Sequence, residues 1–268
     1  MIKRIRSVAF FTKRNNEESE KVSFILKSKL TKKGVEIIEF KKDAIHNTKY
    51  FSEKPLDFAI AIGGDGTTIK AFRTLPSEVP VLCVNAGGTR GILSEVSKDS
   101  INKIIEPLLN GEFFLDKRTR IIAQIGNDTT VPVLNDFVLM RSELDKTPIF
   151  TLFMNDSSLS QKMDGMIIST PTGSTGHALS NNGPIIHEQL DCILVTPIGS
   201  VNRVPSFVAP LNGIKVSVNH DTQLIMDGQM TRSIPKNHMI SIKKYQDDAL
   251  FIRFKMNDLR QLTKLGFT

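Results

Sequence analysis

AIAIGGDGTTIKAFR, residues 59–73, runs an aliphatic strand into two glycines, a lone carboxylate, a third glycine and two threonines, and then into a helical pattern. A strand that meets a helix across so short a turn is the joint of a parallel sheet, where ligands gather at the carboxyl ends of strands. Glycines there let a phosphate approach the backbone with no Cβ in the way, and the helix N-terminus offers unpaired N–H groups to an anion. Asp65 does not suit a plain phosphate cradle. A carboxylate beside a phosphate is repelled unless a divalent cation lies between them or it takes a proton from an attacking hydroxyl. The combination argues for phosphoryl transfer to an alcohol. A tight turn with Asp65 as its cap is the other reading, and this stretch alone leaves both open. No GxxxxGK[ST] is present, and Ile69 occupies the third glycine's place of a GxGxxG, so neither a P-loop nor the usual redox dinucleotide fold is expected.

The flanking sequence repeats the strand-helix alternation. SVAFFT (Ser7–Thr12) is a strand, the asparagines of RNNEESEK cap a helix, and Val22, Ile25, Leu26 and Leu30 recur at helical steps until Gly34. VEIIEF, DFAIAIGG and VPVLCVN are further strands, TTIKAFRTL is a short helix, and SKDSINKIIEPLLNG is a helix that stops at Gly111. This pattern predicts an α/β N-terminal domain with a parallel sheet over residues 1–111. From about Phe113 short strands separated by Gly, Asn, Asp and Pro predict a β-rich, β-sandwich-like domain over 112–250, and 251–268 supplies a C-terminal helix that packs back on the first domain.

A second unusual stretch is DGMIISTPTGSTGHALSNNGPI, residues 164–185, where a strand leads into hydroxyls at Ser169, Thr170, Thr172, Ser174 and Thr175 and then a short helix. So many neutral donors suit ribose, adenine edges and phosphate oxygens together, while Ser/Thr-rich turns that cap a helix are the structural alternative.

The chain has 268 residues, 40% of them hydrophobic, and a formal charge of +7, a balance that suits an anionic ligand. Its basic residues are strewn widely with no aromatic-interleaved stripe, so no nucleic-acid partner is expected. Cys83 and Cys192 sit in apolar runs without partners at metal-ligand spacing and read as core thiols of a reducing compartment. No apolar window is long enough to cross a bilayer, so the expectation is a cytoplasmic chain with no membrane partner.

Taken together, GGDGT, the Asn-Asp of VLNDFVLMR and DGMIISTPTGSTGHALS resemble the NAD kinase family over nearly the whole chain and in the same order. GGDGT is shared with lipid and sphingoid kinases, whereas STPTGST downstream of an Asn-acidic pair is far more discriminating. The resemblance implies ATP (or polyphosphate) as phosphoryl donor with Mg²⁺ or another divalent cation, and NAD as acceptor at the 2'-hydroxyl of its adenosine ribose. It also implies a homo-oligomer, dimer or tetramer, and an active site between the two domains. Carried over by position, Asp65 is the general base, with Gly63, Gly64, Gly66 and Thr67 around the phosphates and Gly88 and Gly91 on a second glycine turn. Asn135 and Asp136 touch the adenosine half, and Thr172, Thr175, Gly176, His177 and Ser180 hold adenine and the nicotinamide ribose. Asp164 reaches a ligand bound by a neighbouring subunit, Gly199 and Val201 line the same pocket, and Asp227 and Gly228 form a late DGQ turn. No metal ligand is assigned. Three departures fall on the acceptor side: Asp136 stands for a glutamate, Gly176-His177 for Ala-Tyr, and Asn181-Asn182 for small residues before Gly183-Pro184. They keep two rivals in view, a related kinase of a lipid or small polyol and a non-catalytic dinucleotide sensor.

Overall fold

The structure is a computed structural model that describes residues 5–39, 56–87 and 91–267. Its contacts divide into two units, Met1–Lys117 with Ala249–Thr268, and Arg118–Asp248.

In the first unit β1 (Ser7–Thr12), β2 (Glu36–Glu39), β3 (Phe58–Gly63) and β4 (Val81–Asn85) pair in parallel in the order β2-β1-β3-β4. Asn16 caps α1 (Glu17–Lys32) by accepting from the Ser19 N–H at 2.9 Å, and Gly34, at φ +81°, turns the chain away after it. Val22, Leu26 and Leu30 face the sheet, while Ile25 is 39% exposed: only the i, i+4, i+8 row of the apolar pattern reaches the core. α2 (Asp65–Thr74) follows β3 with Gly64 as N-cap. β5 (Val96–Ser97) lies beside β4.

The helix expected over SKDSINKIIEPLLNG is two pieces, a 3-10 turn at Lys98–Lys103 and α3 (Ile105–Asn110). Pro107 explains the restart, since a proline without an N–H is accommodated in a first turn but not in the middle of a long helix. Gly111, at φ +73°, closes α3, and β6 (Phe114–Arg118) follows.

The second unit is two antiparallel six-stranded sheets. One contains β7 (Ile121–Ile125), β8 (Asp128–Thr129), β10 (Ile149–Met154), β11 (Ser157–Lys162), β15 (Ile214–Val218) and β18 (Ile240–Lys244). The other contains β9 (Asp136–Arg141), β12 (Gly165–Ser169), β13 (Cys192–Ile198), β14 (Phe207–Pro210), β16 (Thr222–Met226) and β17 (Met230–Ile234). Side chains from both inner faces form one core, for instance Ala123, Phe150 and Val216 with Phe137, Ile168 and Val195. Val138 and Ile167, one residue out of phase, join Ala178 and Ile186 on the other face, as the two-residue period of a strand requires. α4 (His177–Ser180) is the short helix after the hydroxyl-rich loop.

The chain then returns to the first unit. β19 (Ala249–Arg253) pairs in parallel with β4, giving the order β2-β1-β3-β4-β19-β6, and α5 (Arg260–Lys264) is the last element among the described residues. The strand makes the return before the helix does, which local periodicity does not reveal.

Candidate active site

In the first unit the parallel register sets three strand ends level: Thr12 opposite Ile62, and Gly63 opposite Asn85. Gly63 has φ +151°, and a Cβ there would stand 2.5 Å from Thr67 Oγ1 and 2.9 Å from Lys13 Cβ, so the turn depends on glycine. Around Gly64 the space for a Cβ is open, and Gly66 is exposed in the first turn of α2. Thr67 donates its N–H to Gly64 O at 3.0 Å and starts the helix.

Asp65 does not cap its own turn. Half-buried, it reaches to the segment after β4, where Oδ2 accepts from the Ile92 N–H at 3.2 Å and Oδ1 from the Leu93 N–H at 3.0 Å. A carboxylate has about four acceptor directions, so capacity remains for a hydroxyl proton. Gly91, at φ +54°, is packed by Asn85: a Cβ would lie 2.5 Å from its Nδ2. Gly88 lies outside the described residues.

In the second unit Asn135, Asp227, Gly228 and the loop from Thr172 to Gly176 gather around Asp136, whereas Asp164, Gly199 and Val201 lie toward the other end of β12, whose Ser169 pairs with Asp136 and Gly165 with Met140. Asp227 and Gly228, both at positive φ, are the central residues of a β-turn closed by the Gln229 N–H on Met226 O at 3.0 Å, within the three-residue link between β16 and β17. The Asp227 carboxylate accepts from three consecutive amides, Leu134 (3.1 Å), Asn135 (2.7 Å) and Asp136 (3.3 Å). Asp227 is therefore the clamp that shapes the Asn135-Asp136 corner. Asp136 is 4% exposed. Burial first, and the Asp227 charge second, push its carboxyl up to about 7. Its Oδ2 lies 4.0 Å from where a Cβ on Gly176 would stand.

The hydroxyl-rich loop is welded to the same corner. Thr170 donates its N–H to Asn135 O at 2.8 Å and its Oγ1 to Leu134 O at 2.6 Å, and Gly173 passes so close to Asn135 O that any Cβ would overlap it. Ser174 Oγ donates to Pro171 O (2.7 Å) and Thr175 Oγ1 to Thr172 O (3.1 Å). Thr170, Ser174 and Thr175 thus spend their donors on nearby backbone, as Ser/Thr turns do, and keep only acceptor capacity for a ligand. Thr172 is buried, while His177 and Ser180 stand exposed on α4. Asp164 pairs with Arg141 at 3.2 Å, and Gly199, at φ +59°, has no room for a Cβ against the Asp164 carboxylate. Val201 is 63% exposed.

Several groups were not singled out in the sequence: Lys13 and Asn85 at the strand ends, Arg141 on Asp164, and Ser94, Arg253, Arg260 and Lys264 around the Asp65 support. The one signal in reach was the four-residue spacing of Arg260 and Lys264, which puts both cations on one helix face.

Comparison with known proteins follows the same division. The ATP-NAD kinase N-terminal domain family matches residues 7–113, and the ATP-NAD kinase C-terminal domain family matches residues 134–254. An NAD kinase of Pyrococcus furiosus is 31% identical over 257 residues, covering 90% of this chain and 92% of its own. Among solved structures, a yeast NADH kinase complexed with NADH superposes with a TM-score of 0.87 at 20% identity, over 99% of this chain and 89% of that one. An NAD kinase from Archaeoglobus fulgidus in complex with ATP superposes with a TM-score of 0.75 at 22% identity, over 98% and 97%.

Proposed function

The chain belongs to the NAD kinase family, and from that premise we infer that Asp65 is the base that lets the 2'-hydroxyl of the adenosine ribose of NAD take a phosphoryl group from ATP. The observation that carries the assignment is the Asp65 carboxylate, held on the Ile92 and Leu93 amides with acceptor capacity to spare. Held this way, one carboxylate oxygen receives the hydroxyl proton as the hydroxyl oxygen bonds to the terminal phosphorus of ATP and ADP leaves, and the two amides fix the carboxylate in place beforehand.

Gly63, Gly64, Gly66 and Thr67 bring the first turn of α2 to the phosphates, whose charge suits the positive end of that helix. Among the described residues no three His, Cys, Asp or Glu side chains cluster as a metal cage. Mg²⁺ commonly takes one or two carboxylates together with substrate phosphates, and here its ligands would include nucleotide phosphate oxygens. When bound, the ion neutralises phosphate charge.

Asn135, Asp136, Thr172, Thr175 and Gly176 serve the dinucleotide in the second unit, with His177 and Ser180 beside them. Near neutral pH Asp136 retains its proton in part and donates where an ionised glutamate would accept. Asp164, Gly199 and Val201 serve the nicotinamide end in a homo-oligomer, dimer or tetramer, whose size light scattering would report. A cytoplasmic location suits the buried free thiols Cys83 and Cys192. No helix among the described residues is long and apolar enough to cross a membrane.

The test is a coupled dehydrogenase assay for NADP with NAD, ATP and Mg²⁺, run beside polyphosphate as donor and a polyol as acceptor. NADP formation from ATP is expected. ATP consumption with the polyol alone, or saturable NAD binding without product, would overturn the assignment.

A further inference from the structure

Asp65 is only as well placed as the amides that hold it. Those amides belong to Gly91–Ser94, a short irregular turn closed by the Ser94 N–H on Gly91 O at 3.1 Å and by Ser94 Oγ on the same oxygen at 2.5 Å. The turn is fastened by residues from the far end of the chain. Arg253 Nη1 donates to Leu93 O at 3.0 Å, the carbonyl of the very residue whose N–H holds Asp65 Oδ1. The same guanidinium donates through Nε to Asp116 at 3.1 Å and lies 4.6 Å from the Phe251 ring centroid, and the side chain is 1% exposed. Arg260 pairs with Glu95 at 2.6 Å, and Glu95 Oε1 accepts from the Phe254 N–H at 2.9 Å. Lys264 Nζ donates to Ser94 Oγ at 3.3 Å.

Lys264 is half-buried, and burial first, then the neighbouring Arg260 charge, lower its pKa. A guanidinium N–H on the Leu93 carbonyl and an ammonium on the Ser94 hydroxyl fix the turn from two directions, which neither hydrogen bond does alone. We propose that Arg253 and Lys264 are positioning residues for Asp65, so that β19 and α5 set the place of the base while touching no substrate. The proposal rests on Asp65 being the base. It also gives the return of the chain to the first unit a purpose in the reaction.

The test is steady-state kinetics of the full chain with NAD and ATP varied separately, alongside thermal melts. Lys264→Met lets a half-exposed methionine take the ammonium's place; kcat should fall ~10-fold, with both KM values within ~2-fold and the melting temperature nearly unchanged. Lys264→Arg should restore kcat to within ~3-fold of wild type. Arg253→Lys keeps a charge beside Asp116 but cannot also keep the Nη1 bond to Leu93 O, and should cost ~100-fold in kcat. If that buried variant does not fold, the two Lys264 variants decide. Unchanged kcat in Lys264→Met overturns the proposal, as does a rise in either KM with kcat intact, which would put the ammonium on a substrate. A loss of kcat that follows the unfolded fraction and is not restored by arginine overturns it too. A wild-type chain that makes no NADP fails at the assignment of Asp65 itself; an active wild type with an indifferent Lys264 fails only here.

Discussion

Replacing Asp136 by asparagine isolates the cost of burying one carboxyl in the corner that Asp227 shapes. The group is 4% exposed and is pushed up to about 7 from 3.8 by burial and by the charge of Asp227. Between those values the folded chain holds a proton that the unfolded chain has released. The folded state then binds more protons, and stability falls as pH rises: this contribution is fully present below about pH 4 and lost by the time pH passes about 7. Each pH unit of that window is worth about 1.4 kcal/mol, so from about pH 5 to about pH 8 the wild type loses on the order of 3 kcal/mol. Asparagine has no proton to release, so Asp136→Asn should lack this loss. Urea unfolding of both chains at the two pH values, followed by circular dichroism, measures it. The stability difference between them should move by that amount in favour of the variant as pH rises. A difference that is the same at both pH values would refute the reasoning, and would mean the carboxyl ionises in the fold as it does in water.

Two further outcomes follow from packing. Gly173→Ala sets a Cβ into the Asn135 carbonyl and should raise the KM for NAD about tenfold while costing about 1–3 kcal/mol of stability, as overpacking does; an unchanged KM would mean that the corner yields freely. Arg118 and Glu188 form an ion pair at 2.9 Å with side chains 3% and 5% exposed. Arg118→Met alone should cost about 3–5 kcal/mol by leaving a buried carboxylate, and adding Glu188→Leu should recover most of it, both read from urea midpoints.

Much of this was legible in the sequence where the signal is local. The strand-to-helix joint at Gly63–Thr67 is written in consecutive residues, since glycines and a helical start leave few alternatives, and the parallel pairing of β1, β3 and β4 follows from alternating strands and helices, whereas the order that sets β3 beside β1 does not. The hydroxyl run was legible as unusual but not as to purpose. Whether Thr170 or Ser174 faces a ligand or its own backbone depends on how that loop meets Leu134 and Asn135, a contact across about three dozen residues. The support of Asp65 was illegible for the same reason on a larger scale: Arg253 lies 160 residues from Leu93, and nothing in LFIRFK marks it as belonging beside β4. The pairing of Asp136 with Asp227 joins two strands of one sheet that are distant in the chain.

The most direct measurement of the central claim is single-turnover NADP formation by Asp65→Asn, with NAD affinity measured on the same preparation. Asparagine keeps an oxygen for one of the two amides at residues 92 and 93 but cannot accept the hydroxyl proton. The rate should fall by ~10³-fold, within the range a positioned base contributes, while the dissociation constant for NAD stays within ~3-fold. A variant that turns over within ~10-fold of wild type would contradict the account, because the proton would then be leaving by a route in which Asp65 has no part.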